Sequence, residues 1–269
     1  MGVVNVTPDS FSDGGRFLDA DAALAHARRL IAEGADMLDV GGESTRPGAQ
    51  PVDEAEEISR VVPLITAIRA ESDVRVSVDT MKPAVARAAV LAGAHMWNDI
   101  TALGWSPDSA AVAADLGCEV CLMHMQGDPR TMQQDPRYDD VVEEVMGFMF
   151  DRIQTAAEAG VAGDRIWLDP GIGFGKDKGT AADAWPTHNL ELLRRLDRMV
   201  GTGFPVLLGV SRKRFIRTID ETAVQASDRL GGSLAGALWG SAQGVAAIRV
   251  HDVRETVQAL KVWAAIQEG

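Results

Sequence analysis

The stretch ADMLDVGGESTRPGAQPVDEAEEISRVVPLITAIRAESDVRVSVD occupies residues 35–79 and contains one strand–helix–strand unit. The apolar runs at 35–40 and 74–79 have the length and composition of buried strands, and residues 53–70 have the spacing of an amphipathic helix. Two strands that are joined through a helix lie parallel, with a right-handed crossover. The unit therefore predicts a parallel α/β fold.

The same unit repeats along the whole chain. Strand-like runs lie at 2–6, 35–40, 74–79, 94–99, 119–124, 165–169, 205–210 and 245–250. Helix-like segments lie at 20–33, 53–70, 83–92, 138–159, 188–200, 228–243 and 252–266, and several begin at Asp, Asn or Pro. Eight strands favour a closed (β/α)8 TIM barrel with its active site at the carboxyl ends of the strands. An open doubly wound sheet remains the alternative, because periodicity does not show closure.

Length and composition set further expectations. A (β/α)8 barrel needs about 250 residues, so we expect residues 1–269 to form a single domain. No apolar run reaches the roughly 18 residues of a membrane span, and no signal peptide is evident, which predicts a cytoplasmic protein without a membrane partner. The formal net charge of −13 argues against nucleic-acid partners.

Cys118 and Cys121 form a C-x-x-C motif, which is also found in redox and metal sites. They belong to a strand-like run, in which residues three apart point to opposite faces. We therefore expect two buried, reduced thiols.

Polar residues recur at the ends of the predicted strands, where burial without partners is costly. They are Asn5, Asp79, Asn98, Asp99, His124, Asp169, Arg249 and His251. Each one alone also fits a structural role: Asn98 as a turn cap, Asp169 before Pro170 at the start of a turn, and His124 as a core histidine. In a barrel, however, these strand ends converge on one rim, which predicts a binding site.

Two chemical groups can be distinguished on this rim. Asp79, Asn98 and Asp169 offer acceptors and donors that suit a flat, nitrogen-rich heterocycle. The second group is cationic, and its members are Arg46, Lys213, Arg249 and His251. Arg249 and His251 are two residues apart and so share one strand face, from which both can reach one anion. Surface salt bridging is the alternative for the cationic group.

Seven segments in order resemble the signature stretches of the dihydropteroate synthase family. They are MGVVNVTPDSFSDGG (1–15), LDVGGESTRPGA (38–49), SVDTMKP (77–83), NDI (98–100), LDPGIGFGK (168–176), SRKRF (211–215) and RVHDV (249–253). The resemblance implies a TIM barrel that joins p-aminobenzoate to 6-hydroxymethyl-7,8-dihydropterin diphosphate, with release of diphosphate, in folate biosynthesis.

The resemblance also assigns roles to individual residues. It implies that the pterin is bound by Asp79, Asn98, Asp169 and Lys213, in a slot that includes Ile100, Met123, Phe174 and Gly209. It implies that the diphosphate is anchored by Arg46, Arg249 and His251, which together with Lys213 form the catalytic set. Thr45 resembles the threonine at the substrate junction, Phe11 and Pro47 the walls of the aminobenzoate site, and Asn5 the ligand of a Mg2+ cofactor. A homodimer is also implied, and residues 230–247 are apolar enough to form its interface or simply to pack on the barrel.

Three features depart from the family pattern. No N-terminal extension precedes the first strand, the segment 177–189 is longer than expected, and Arg214 replaces a frequent serine. Three other functions remain open. One is a methyltetrahydrofolate–corrinoid methyltransferase, although such an enzyme does not need residues that bind a diphosphate. The others are a non-catalytic pterin-binding homologue and a metal-dependent barrel hydrolase, and the absence of a His-x-His pair disfavours the hydrolase.

Overall fold

The computed structural model describes residues 1–6, 16–44, 50–129, 131–177 and 187–268, with residues 16–20 described by their backbone alone. In these ranges there are eight strands: β1 Gly2–Asn5, β2 Met37–Gly41, β3 Arg75–Asp79, β4 Met96–Asp99, β5 Glu119–Met123, β6 Ile166–Asp169, β7 Leu207–Leu208 and β8 Ala247–Ile248. All the paired strands are parallel, as the βαβ repeat predicts.

The strands close into a barrel. The first six form one sheet in sequence order, and β7 pairs with β8. Parallel bridges join Leu168 to Val206 and Gly2 to Val250, so each edge of the six-stranded sheet meets one edge of the pair. The amide of Val3 also donates to the carbonyl of Val250 at 3.0 Å. Closure confirms the barrel over the open sheet.

Ten α-helices lie in the described ranges. They are α1 Arg16–Ala32, α2 Glu54–Glu71, α3 Pro83–Leu91, α4 Ser109–Leu116, α5 Val141–Glu158, α6 Thr187–Arg194, α7 Leu196–Val200, α8 Arg214–Ile219, α9 Leu230–Gln243 and α10 Val253–Gln267. Asp53 caps α2 by accepting the Glu56 amide at 2.8 Å, Asp140 caps α5, and Pro83 opens α3. These three starts confirm the helix signals in the sequence.

The helix prediction was incomplete in places. The short helices α4 and α8 were not predicted, because neither is long enough to show a clear helical period. The predicted helix 188–200 is two helices, α6 and α7.

The alternation of side chains along each strand separates two apolar regions. Outward residues such as Leu38, Val78 and Leu168 pack with the helices in the main core. Inward residues fill the barrel, where Met37, Met96, Cys121 and Leu207 form a separate cluster. Cys118 belongs to the outer core and both thiols are free and buried, which confirms the prediction for the C-x-x-C motif. Among the described helices, none combines the length and apolar character needed to cross a lipid bilayer.

Candidate active site

The predicted rim residues are brought together by strand register. Asp79 on β3 pairs with Asn98 on β4, and Met123 on β5 pairs with Asp169 on β6. Asn5 on β1 pairs with Gly41 on β2, which in turn pairs with Asp79. Because side chains alternate along a strand, residues at the same level of adjacent strands face the same side of the sheet. The register thus places Asn5, Asp79 and Asn98 on one side of the sheet at the ends of β1, β3 and β4, and Asp169 beside Met123 at the ends of β6 and β5.

Arg249 lies at the centre of this surface. Its Nε donates to Asp39 Oδ2 at 2.6 Å, and its Nη2 donates to Asp79 Oδ2 at 2.8 Å. Asp39 Oδ2 also accepts from Asn98 Nδ2 at 3.1 Å. One chain of contacts therefore connects the segment directly after β8 with β2, β3 and β4 at the mouth of the barrel. Because the guanidinium is hydrogen-bonded to the carboxylates of Asp39 and Asp79, any anion that binds Arg249 must bind beside these two groups.

Burial and the ion pair shift the pKa values of Asp79 and Arg249 in opposite directions. Burial raises the pKa of Asp79 to about 7, and nearby Asp39 adds to the rise, although Arg249 opposes it. Burial would lower the pKa of Arg249, but Asp39 and Asp79 together hold it above its usual range. Arg249 therefore stays charged.

A second cation lies above an aromatic ring. Lys213 Nζ is 4.1 Å from the centroid of the Phe174 ring, a cation–π distance. Burial lowers the pKa of Lys213 to about 8, and Asp169 opposes that change. Asp169 is itself buried, its pKa is raised mainly by desolvation, and its Oδ1 accepts the amide of Gly171 at 2.7 Å. Lys213 and Asp169 thus interact electrostatically inside the rim.

The apolar members of the predicted slot also gather. Ile100 and Met123 are buried in one cluster with Met81, and Phe174 packs against it. At Gly209, the nearest atom to an added Cβ would be Cβ of Arg249, at 4.0 Å. Contacts therefore link most of the described members of the predicted set: Ile100, Met123 and Phe174 share the apolar cluster, and Phe174 also contacts Lys213.

His251 does not have the charge that we predicted. Burial, followed by Arg249, Arg212 and Lys213, lowers its pKa to about 3, so the imidazole is neutral at pH 7. Its Nδ1 lies 3.0 Å from Ser211 Oγ. The prediction of His251 as a cation is therefore wrong, because three neighbouring cations and desolvation disfavour a further positive charge. A neutral ring can still donate one hydrogen bond to an anion.

His124 and Asp99 have structural roles. His124 is buried, and its Nδ1 contacts Lys176 Nζ at 2.9 Å. Asp99 accepts the amides of Thr101 and Leu103, both at 2.8 Å, and so supports the turn in which Leu103 has a positive φ of 61°. The structural alternative holds for these two residues.

Asn5 and Asp79 lie on either side of Gly41. A Cβ added at Gly41 would lie 3.5 Å from Asn5 Oδ1 and 3.7 Å from Asp79 Oδ2. The absence of a side chain at Gly41 therefore leaves the Asn5 amide oxygen and the Asp79 carboxylate close to the same space. Within the described ranges, no three His, Cys, Asp or Glu side chains converge on a metal site.

Sequence reasoning missed two buried charged groups. Asp39 lies in the middle of β2 and not at its end, and its signal is an acid at an inward position of an apolar strand. Lys82 Nζ contacts Glu43 Oε2, Glu57 Oε2 and the Val52 carbonyl, each at 2.6 Å. This cluster, Lys82 with Glu43 and Glu57, joins both stems of the β2–α2 loop to the start of α3. The predicted site residues Phe11, Thr45, Arg46 and Pro47 lie outside the described residues.

Comparison with known proteins agrees with this geometry. A family profile described as pterin binding enzyme matches residues 1–251. The chain is 47% identical to the dihydropteroate synthase of Escherichia coli K12 over 262 residues, which cover 97% of this chain and 89% of that protein. It is 46% identical to the dihydropteroate synthase of Neisseria meningitidis, with 99% and 92% covered.

A solved structure shows the same fold. The dihydropteroate synthase of Xanthomonas albilineans with 4-aminobenzoic acid is 48% identical, covers 99% of this chain and 92% of its own, and superimposes with a TM-score of 0.90. A second structure of that enzyme, in complex with 7,8-dihydropteroate, is 45% identical with the same coverage and a TM-score of 0.87.

Proposed function

The chain belongs to the pterin binding enzyme family, and we propose that the rim of its barrel carries out the dihydropteroate synthase reaction with the residues described above. In this reaction p-aminobenzoate displaces diphosphate from 6-hydroxymethyl-7,8-dihydropterin diphosphate and gives 7,8-dihydropteroate, a step of folate biosynthesis. A C–N bond forms at the pterin methylene, the C–O bond to diphosphate breaks, and the amine loses one proton to solvent.

One observation carries the proposal: a set of carboxylates and an amide shares the mouth of the barrel with two cations. Asp79, Asn98 and Asp169 bind the N–H and carbonyl edges of the pterin ring, because a carboxylate can accept two parallel N–H bonds from a guanidine-like edge. Lys213 adds a donor beside the ring. Ile100, Met123, Phe174 and Gly209 enclose its flat faces.

Departure of the leaving group needs stabilisation of negative charge. Arg249 remains charged, and neutral His251 offers one N–H donor. With Arg46 and Lys213, these residues form the catalytic set that we propose for diphosphate release, because fixed donors aimed at developing charge lower the barrier. The carboxylates of the rim stabilise the positive charge that develops on the pterin methylene.

Asn5 fits the Mg2+ cofactor that the family implies. Its amide oxygen is a hard donor, and Mg2+ is usually held by one or two protein oxygens together with substrate phosphates and water. When bound, the ion would neutralise charge on the diphosphate. Asn5 would hold it on the β1 side of the mouth, next to Asp79.

The aminobenzoate site that we propose is formed by Phe11 and Pro47, with Thr45 at the junction of the two substrates. This assignment is carried by the sequence motifs alone.

We further propose that the whole chain acts as one domain. We also propose that it works in the cytoplasm, where its two buried thiols stay reduced.

We propose in addition that the chain forms a homodimer. The small residues of α9 pack on the barrel itself, since a Cβ at Gly240 would lie 2.5 Å from Leu208. The exposed apolar side chains on α9 and α10 are instead Trp239, Val262 and Ile266, with 44%, 56% and 65% of their surface accessible. Gel filtration of the wild type and of Val262→Asp tests this interface, which predicts a monomer for the variant.

The function is tested by release of diphosphate from the pterin substrate, measured with and without p-aminobenzoate. We expect release that depends on p-aminobenzoate and yields 7,8-dihydropteroate. Pterin binding without release would support a non-catalytic homologue, and methyl transfer from methyltetrahydrofolate would support the rival enzyme. Either result would overturn the proposal.

A further inference from the structure

The loop after β6 encloses a lysine that the site described above does not use. Lys176 has no exposed surface, and its Nζ lies 2.9 Å from His124 Nδ1, 3.1 Å from the His124 carbonyl, 3.1 Å from the Gly171 carbonyl and 2.9 Å from the Phe174 carbonyl. Four acceptors surround three N–H groups, so each donor has a partner. The contacts join the end of β5 to both sides of the loop.

The backbone of this loop is shaped for close approach. Gly171 has a φ of +69°, and a Cβ there would lie 1.9 Å from the His124 carbonyl oxygen and 3.1 Å from Lys176 Nζ. Gly175 has a φ of +56°, and its Cβ would lie 2.5 Å from the Gln126 carbonyl oxygen. Only glycine fits at these two positions, because the conformation is left-handed and the neighbouring atoms are backbone. The loop is thus pressed onto the segment that follows β5.

Each partner of Lys176 is next to a residue of the proposed pterin site. Gly171 donates its amide to Asp169 Oδ1 at 2.7 Å. Phe174 carries the ring beneath Lys213 Nζ. His124 directly follows Met123 in the chain.

We propose that Lys176 is a positioning residue for the pterin: it holds the 171–175 loop against β5 and so fixes Asp169, Phe174 and, through Phe174, Lys213. It does not touch substrate, because its side chain is enclosed by the loop. This inference rests on the proposed function, since it concerns the pterin site of the same reaction.

The charges around Lys176 are consistent with this role. Burial lowers the pKa of Lys176 to about 7, Asp169 opposes that change, and Lys213 adds to it. The amine donates hydrogen bonds in both protonation states, through three N–H groups when charged and two when neutral, so its contacts with the loop carbonyls do not depend on the charge. The pKa of His124 is lowered to about 3 by burial and by Lys176, so its neutral ring can accept through Nδ1.

The test compares variants by steady-state kinetics with each substrate varied in turn. In Lys176→Met, which keeps length but removes the donors, we expect KM for the pterin diphosphate to rise about tenfold to a hundredfold, because displacement of Asp169 or Lys213 would weaken a hydrogen bond between a charged group and the ring. KM for p-aminobenzoate should change much less. Lys261→Met, at an exposed lysine of α10, is the control and should match the wild type.

A second pair of variants removes one contact and keeps the lysine. His124→Leu lacks an acceptor for Lys176 Nζ, whereas His124→Asn can place its amide oxygen near the position of Nδ1. We expect a several-fold rise in pterin KM for His124→Leu and a value near wild type for His124→Asn. This pair decides the question if Lys176→Met does not fold.

The inference is overturned if folded Lys176→Met keeps the wild-type pterin KM, or if His124→Leu and His124→Asn behave alike. A uniform loss of kcat with unchanged KM for the pterin would also contradict it. Failure of the proposed function gives a different result, since the wild type itself would then form no dihydropteroate.

Discussion

Asp39 holds Arg249 at the mouth of the barrel: Nε of the arginine, which directly follows β8, donates to Oδ2 of the aspartate on β2 at 2.6 Å, although 210 residues separate them in the chain. Asp39 is fully buried, whereas the Arg249 side chain keeps 21% of its surface exposed at the mouth. Asp39 therefore determines how the guanidinium is presented to a ligand.

Asp39→Asn should destabilise the fold and reduce activity. Loss of one partner of a buried ion pair costs about 3–5 kcal/mol, and the lower end is expected because Arg249 keeps Asp79. Urea denaturation and kcat/KM measure the two effects. Asp36→Asn, at an exposed aspartate just before β2, should change neither. A variant with wild-type stability and activity would show that Arg249 does not need Asp39.

Arg249→Ala should remove stabilisation of the leaving diphosphate. Loss of one preorganised donor costs about 2–4 kcal/mol in the transition state, so kcat/KM should fall by about 30-fold to 1000-fold. Steady-state kinetics with the pterin diphosphate varied measure this effect, and a loss below about threefold would refute the role.

Asp169→Asn should weaken pterin binding, because it removes the charge that faces Lys213 and one strong acceptor for the ring. Titration calorimetry with the pterin diphosphate, in the absence of p-aminobenzoate, measures the affinity. Asp164→Asn changes one exposed carboxylate near the opposite end of β6 and is the matched control. Equal affinities for the two variants would contradict the assignment.

His124 and His251 should stay neutral well below the usual pKa of histidine. Burial lowers both pKa values to about 3, against about 6.5 in an unfolded chain. A lowered pKa in the folded state means that the contribution of each residue to stability is complete above pH 6.5 and is lost as the pH falls towards 3. NMR of the imidazole nitrogens should show neutral rings at pH 5. Titration of either ring near pH 6.5 would contradict the expectation.

Lys82→Met should destabilise the fold without a direct effect on the rim. The variant leaves Glu43 and Glu57 without their shared cation, and Glu57 has no exposed surface. We expect a loss of about 3–5 kcal/mol in the free energy of unfolding, measured by denaturation against Lys261→Met. Adding Glu57→Gln should recover part of the loss, because it removes one of the two unpaired charges. A double variant less stable than Lys82→Met would argue against this explanation.

Much of the site could be predicted because strand ends are visible in sequence. Asp79, Asn98, Asp169 and Arg249 interrupt apolar runs at their carboxyl ends, and a parallel barrel brings such ends together. Asp39 was missed because it lies in the middle of its strand. Its partner, Arg249, directly follows the last strand, so no local pattern connects the two residues.

The charge of His251 shows a second limit. An unperturbed histidine can be charged or neutral near pH 7, and the motif RVHDV does not state which. The neutral form is selected by burial together with Arg249, Arg212 and Lys213, of which only Arg249 is close to His251 in sequence.

The sequence by itself determined the order of strands and helices, the parallel sheet and the residues that reach its carboxyl edge, because period-2 and helical spacing and the chirality of βαβ units are local properties of the chain. The tertiary structure alone decided that the sheet closes, that Asp39 holds Arg249, that His251 is neutral and that Lys176 lies inside the loop after β6. These features depend on distances between atoms far apart in sequence and on the removal of water from around them, and neither is encoded in the spacing of residues along one segment.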